Sequence, residues 1–275
     1  MNKQMLRITI IILFVSVQLI GIATAVRYIA SIEKGSLESP ITGGSDISTV
    51  IELFIYILAV TLIIIITIKL FKKMLLLLEA LAVFFMSDIV FELLFPFVVF
   101  NVIPIGTVMA ILLTAAKMLK PNILTQNTAL IFSTAGAGAI IGISFSPLAI
   151  VFFMLLLSAY DFISVFYTKH MVYMAKAMTE RPTAFTASLP TAVGKGKRKA
   201  YAYQLGGGDL VVPLTLAVSS LIHYGPKAAY FVMVFSLFGL LLLFEFVMGK
   251  KGKALPALPP ISAAACLGLL ISTLI

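Results

Sequence analysis

Nine stretches of the chain are apolar for long enough to cross about 30 Å of hydrocarbon at about 1.5 Å per helical residue. They lie near residues 6–30, 47–71, 74–99, 102–119, 127–144, 147–169, 209–223, 227–248 and 256–274. Inside a bilayer every backbone N–H and C=O must find its partner within the segment, so runs of this kind become helices. The expected fold is therefore all-α: a polytopic membrane protein whose residues 1–275 form one nine-helix transmembrane domain. Six helices precede a loop over 171–204 and three follow it. Composition bears on the choice, since 61% of residues are hydrophobic and 11% charged, against about 25% charged in a soluble domain.

The formal charge of +9 does not point to nucleic acid, because the basic residues fall in short clusters between apolar runs rather than along one face. They read as topology signals. With the N-terminus in the cytoplasm, seventeen lysines and arginines fall on the cytoplasmic side, among them Lys3, Arg7, Lys72, Lys73, Lys117, Lys120 and the cluster Lys195 to Lys199. Only Arg27, Lys34 and Lys227 lie opposite. Short cytoplasmic loops retain basic residues, so this asymmetry predicts a cytoplasmic N-terminus and an outside C-terminus. The first apolar stretch, with Ala23-Thr24-Ala25 near its end, has some features of a cleavable secretion signal, but its length favours a retained helix. The loop Met171–Gln204 reads as a solvated linker that also touches anionic lipid. Cys266 is the one cysteine, so no intrachain disulfide or thiolate metal site is expected.

An acid inside a membrane helix costs roughly 2.5–3.5 kcal/mol on insertion scales, so it calls for a reason and a partner. Asp209 follows Gly206, Gly207 and Gly208 and leads into an apolar run. Asp161 lies fourteen residues past Pro147 and eight before Lys169, about 21 Å along its helix. In adjacent antiparallel helices both acids fall in the cytoplasmic half of the bilayer. Two carboxylates that close should share a single proton. One can then take a proton from water while the other polarises a peptide carbonyl, with no metal or cofactor. The glycines suit such chemistry, because they form poor helix and let a peptide approach and pair as a strand. Pro256-Ala257-Leu258, followed by Pro259 and Pro260, is expected to stay extended and to leave carbonyls free.

Tyr160-Asp161, Gly206-Gly207-Gly208-Asp209 and Pro256-Ala257-Leu258 stand in the sixth, seventh and ninth helices. In motif, order and topology the chain resembles the presenilin and signal-peptide-peptidase family of intramembrane aspartyl proteases, whose Y-D, G-x-G-D and P-A-L signatures all match. The resemblance implies that Asp161 and Asp209 are the catalytic dyad and that Pro256, Ala257 and Leu258 shape the site and contact substrate. It further implies that Gly206 and Gly208 help to hold the peptide and that Tyr160 packs beside the catalytic carboxyl, although Tyr160 alone reads equally well as a helix-packing aromatic. The substrates implied are transmembrane helical peptides in a lipid bilayer. The cytoplasmic N-terminus resembles presenilins rather than signal peptide peptidases. The short loop has no room for the large autoprocessed insert of animal presenilins, so autocleavage is not expected. Compact size resembles a microbial homologue that works without accessory subunits; homo-oligomerisation is left open.

Other polar residues define the rival readings. Asp88 and Glu92 share one face of the third helix, which would suit a proton-coupled transporter or a polar patch facing a watery cavity. Glu52 and Glu245 fall near helix ends. His170 and His223 are far apart and lack an H-E-x-x-H pattern. Ser219, Ser220 and His223 lack the G-x-S-x-G of a serine hydrolase. Gly136, Gly138 and Gly142 in the fifth helix read as close-packing positions.

Overall fold

A computed structural model describes residues 3–37, 47–70, 72–99, 103–167, 186–188, 204–248 and 256–275. Among them are nine helices: α1 Lys3–Glu33, α2 Ile47–Leu70, α3 Lys72–Leu94, α4 Ile105–Leu119, α5 Ile123–Ser144, α6 Pro147–Phe166, α7 Gly208–Tyr224, α8 Pro226–Met248 and α9 Leu258–Leu274. Two short strand pairs accompany them, β1 Val98–Val99 with β2 Ile103–Pro104 and β3 Thr186–Ser188 with β4 Gln204–Gly206. The basic cluster Lys195 to Lys199, His170 and most of the loop expected over 171–204 lie outside the described residues.

Local chemistry sets most helix ends. The carboxamide of Asn122 accepts from the Thr125 N–H at 2.8 Å, and the Thr125 hydroxyl accepts from the Asn122 N–H at 3.1 Å. This reciprocal cap starts α5 at Ile123, four residues before the expected start. Ser146 caps α6 and Pro147 opens it, as expected of a residue whose missing N–H needs no partner there. Gly225, at φ +86°, makes the turn between α7 and α8 that a side chain would disfavour.

The expected helices over 74–99 and 102–119 are shorter than the apolar runs. Pro96 has no N–H to offer the Glu92 carbonyl and disfavours helical backbone at Phe95, so α3 ends at Leu94. The chain then reverses through the β1–β2 hairpin, with Val98 opposite Pro104 and Val99 opposite Ile103. Gly106 follows, so close to α3 that an added Cβ would sit 2.5 Å from the Glu92 nitrogen.

Helix α7 is the axis of the bundle. From Val212 to Ser220 all of its residues are buried, with α1, α5, α6, α8 and α9 around it. Leu214 fits a socket made by missing side chains: a Cβ on Gly138 of α5 would lie 2.5 Å from its Cδ2, and one on Gly21 of α1 would also collide with it. A Cβ on Gly142 would meet Val218 at 2.6 Å. The small-residue stripe of α5 thus packs helices, as its sequence suggested. Helix α1 contributes Leu6, Ile10, Phe14, Val17 and Gln18 to the same core, three and four residues apart. Its Ile8, Ile12, Leu19 and Val26 face outward, as do Phe238 and Leu242 of α8. Among the described residues four helices, within Gln4–Glu33, Ile123–Ser144, Pro147–Phe166 and Pro226–Phe246, are long and apolar enough to cross a membrane, and the outward belt of large apolar side chains suits lipid rather than water.

Ion pairs join α1 to α8 and α3 to α4. Arg7 of α1 meets Glu245 of α8 at 2.5 Å, with both side chains partly exposed. Lys117 of α4 meets Glu79 of α3, and these side chains are only 3% and 2% exposed. Lys117, counted from sequence among the cytoplasmic basic residues at the end of the 102–119 stretch, is therefore inside the bundle, because α4 turns the ammonium toward Glu79.

Candidate active site

The end of α6, the start of α7 and the start of α9 converge beside β4. Asp161, five residues before the last residue of α6, is 5% exposed. Its Oδ2 accepts from the Leu258 N–H at 3.1 Å, and the Ala257 N–H also faces the carboxylate. These N–H groups open α9, where no intrahelical acceptor is available. Ala257, the residue at the cap, has no side-chain oxygen to satisfy them. Asp161 therefore caps α9 from another helix, and the positive end of the helix dipole faces its carboxylate.

The Pro-Ala-Leu segment differs from expectation in one respect. Ala257 has φ −91° and ψ −33°, which is helical rather than extended backbone. Pro259 and Pro260 lie inside the first turn of α9, where proline is compatible with helix. Leu258 is buried with Phe153, Leu157, Val212 and Leu216, so its side chain ties α9 to α6 and α7 while its N–H holds Asp161.

Asp209 is the second residue of α7 and is half-buried. Its Oδ2 accepts from the Gly206 N–H at 3.2 Å. Gly206 ends β4, opposite Thr186 in the antiparallel pair with β3. An added Cβ there would stand 3.3 Å from Asp209 Oδ2. Of the three glycines only Gly206 is in a strand: Gly207 has φ −58° and ψ −33°, and Gly208 begins α7. The extended run is thus Gln204–Gly206, displaced toward the N-terminus from the glycines expected to form it. Gly208 is exposed, with nothing within 4 Å of where a Cβ would stand.

Asp161 and Asp209 lie within electrostatic reach of each other. Asp161, Asp209, Gly206, Gly207, Gly208, Pro256, Ala257 and Leu258 thus belong to one locality, built from the starts of two helices and the end of a third. Tyr160 is next to Asp161, and its ring stands edge-on to Phe54 of α2, 6.5 Å between centroids. That contact supports its helix-packing reading.

The rival carboxylates lie elsewhere. Glu92 is exposed and accepts from the Thr107 hydroxyl at 2.9 Å. Asp88 is half-buried, and among the described residues nothing hydrogen-bonds to its Oδ1. Both belong to α3, which packs against α1, α2, α4 and α5. The Ser219 hydroxyl donates to the Phe145 carbonyl at 2.6 Å, and the His223 ring is 3.0 Å from the Ser219 carbonyl. Neither is arranged as a nucleophile and its base. Among the described residues no three His, Cys, Asp or Glu side chains cluster as metal ligands.

Sequence reading passed over Gln18 and Glu79. Gln18 is fully buried in α1, and its Nε2 is 3.4 Å from the carbonyl of Leu210, the residue after Asp209. An intramembrane polar residue is itself a signal, and both stand inside apolar runs.

Over residues 9–275 the chain matches the family described as signal-peptide peptidase, presenilin aspartyl protease. Two solved structures share its fold. A presenilin family intramembrane aspartate protease crystallised in space group C222 is 23% identical, with a TM-score of 0.71 over 98% of each chain. Another, in space group P2, is 26% identical, with a TM-score of 0.70 over 96% of this chain and 95% of the other. No curated protein sequence matches. With the family signature running through all three converging helices, the chain belongs to the signal-peptide peptidase, presenilin aspartyl protease family of intramembrane aspartic endopeptidases.

Proposed function

We propose that Asp161 and Asp209 are the catalytic pair and that the protein hydrolyses peptide bonds of single-span helical substrates in the cytoplasmic half of the membrane. The observation that carries this reading is the anchoring of both carboxylates by backbone N–H groups, Asp161 at the start of α9 and Asp209 at the end of β4, close enough for the charge of Asp161 to act on Asp209. Such anchors fix orientation without using up every oxygen lone pair.

The reaction needs one proton on the pair. The ionised carboxylate removes a proton from water, whose oxygen bonds to the scissile carbonyl carbon. The protonated carboxyl donates to the carbonyl oxygen, and a tetrahedral diol forms. Collapse breaks the C–N bond, with a proton passing to the leaving amine and the second product leaving as a carboxylic acid. The shared proton is restored, and no cofactor enters.

A helical substrate hides its peptide bonds in its own hydrogen bonds, so it must be unwound first. β4 pairs with β3 along one edge, and an unwound peptide added beside this pair would regain backbone partners. Open space over Gly208 gives it room next to Asp209, and Pro256, Ala257 and Leu258 bound the opposite side. The basic asymmetry supports a cytoplasmic N-terminus and an outside C-terminus, even though Lys117, one of the seventeen, is occupied by Glu79. We place the activity in the single chain, without accessory subunits.

The test is cleavage of a labelled transmembrane peptide by purified protein in liposomes, with the fragments weighed. Asp161→Asn and Asp209→Asn should each lower kcat by about 10³-fold or more, within the range of a lost general acid or base. Cleavage within tenfold of the parent by either variant overturns the assignment.

A further inference from the structure

Helix α7 carries Asp209 on a turn that is short of its own hydrogen bonds. Pro213 lies inside the helix four residues after Asp209. It has no N–H to give the Asp209 carbonyl, and its ring crowds that carbonyl. The N-cap, Gly207, makes no side-chain cap bond. What holds this turn must come partly from outside α7.

One such hold is Gln18. It stands in the middle of α1, fully buried, with its Nε2 3.4 Å from the Leu210 carbonyl. The next contact outward along the same two helices is Leu214 in the socket at Gly21, so α1 and α7 run in parallel and in register here. The amide orientation follows from the chemistry, because the flipped form would set two carbonyl oxygens against each other. Among the described residues nothing hydrogen-bonds to Oε1. A buried amide with one end unsatisfied costs stability that an apolar side chain of similar size would not. The bond to the turn that carries Asp209 is what the amide supplies in return.

We propose that Gln18 is a positioning residue for the proteolytic reaction, holding the first turn of α7 so that Asp209 keeps its place opposite Asp161. This rests on the assignment of Asp209 to the catalytic pair. Gln18 acts through the backbone of Leu210 and touches no reacting atom.

The discriminating variant is Gln18→Met, which keeps length and apolar volume and removes the donor. Peptide cleavage in liposomes should show kcat reduced about threefold to tenfold, the worth of one net neutral hydrogen bond, with KM within twofold. The unfolding temperature should hold or rise. A structural role alone predicts the opposite sign, a falling unfolding temperature with unchanged kcat for the folded fraction. Gln18→Asn, whose shorter side chain cannot reach the carbonyl, should repeat the loss in kcat. Unchanged kcat in Gln18→Met, or loss of activity that only follows loss of folded protein, overturns the proposal. Asp209→Asn is measured alongside: if it is inactive while Gln18→Met is unaffected, only the positioning role fails. If Asp209→Asn is active, the catalytic assignment fails instead.

Discussion

Removing one partner of the Lys117–Glu79 pair should be among the most damaging single changes outside the carboxylate site. Both side chains are almost completely shielded, at 3% and 2% exposure, so the screening that makes surface pairs nearly worthless does not apply. Glu79→Leu leaves a buried ammonium without the carboxylate that faces it, and Lys117→Met takes from the buried Glu79 carboxylate the ammonium that faces it. Breaking a pair so buried costs about 3–5 kcal/mol. At roughly 2–4 °C per kcal/mol for a chain of this size, each single variant should unfold roughly 6–20 °C lower. The double variant Glu79→Leu/Lys117→Met should recover most of that loss, because two apolar groups of similar volume avoid the desolvation cost altogether. The one cysteine gives a convenient assay: Cys266 is a free, partly buried thiol in α9, and a thiol-reactive dye in detergent reports its exposure on heating. Below the transition, kcat should stay within twofold of the parent, since the pair joins α3 to α4 and not the helices carrying Asp161 and Asp209. Single variants that lose less than about 1 kcal/mol, or a double variant that loses the sum of both, would refute the picture of a mutually dependent buried pair.

Packing around α7 gives a second expectation. Gly138→Ala forces a methyl against Leu214 and should cost about 1–3 kcal/mol by overpacking; combining it with Leu214→Ala should cost less than the two changes separately, as dye-monitored unfolding will show. A third separates protease from transporter. Glu92→Gln keeps a carbonyl oxygen for the Thr107 hydroxyl and should leave peptide cleavage within twofold, whereas proton flux into liposomes that depends on Asp88 or Glu92 and survives Asp209→Asn would favour transport.

The parts of this fold legible in the sequence are those with strong local signals. Long apolar runs, with Pro147 opening the sixth, placed helices to within a few residues. Pro96 was equally visible, but it sits inside an unbroken apolar run, and hydropathy alone carried the third helix through it. Asp161 and Asp209 were legible because a lone acid in a hydrophobic run has few ordinary explanations. Their anchors were not, since nothing in Ala257-Leu258 says that its N–H groups face a carboxylate 97 residues away. The strand at Gln204–Gly206 was not legible for a similar reason: pairing with Thr186–Ser188 decides which residues are extended, and pairing is a tertiary event. Lys117 differs. A lysine two residues from the end of a helix reads as a topology charge unless its partner is known, and Glu79 lies 38 residues earlier.

Helices α7 and α9 are each seventeen residues long, about 25 Å at about 1.5 Å per residue, or about 5 Å less than the hydrocarbon layer of an ordinary membrane. Both begin beside Asp161 and Asp209, so the shortfall can be met at the proposed site. A thick bilayer must pinch inward there or admit water; a thin one needs to do neither. Acyl-chain length of the host lipid thereby becomes a variable of the enzyme, able to alter turnover with every side chain unchanged.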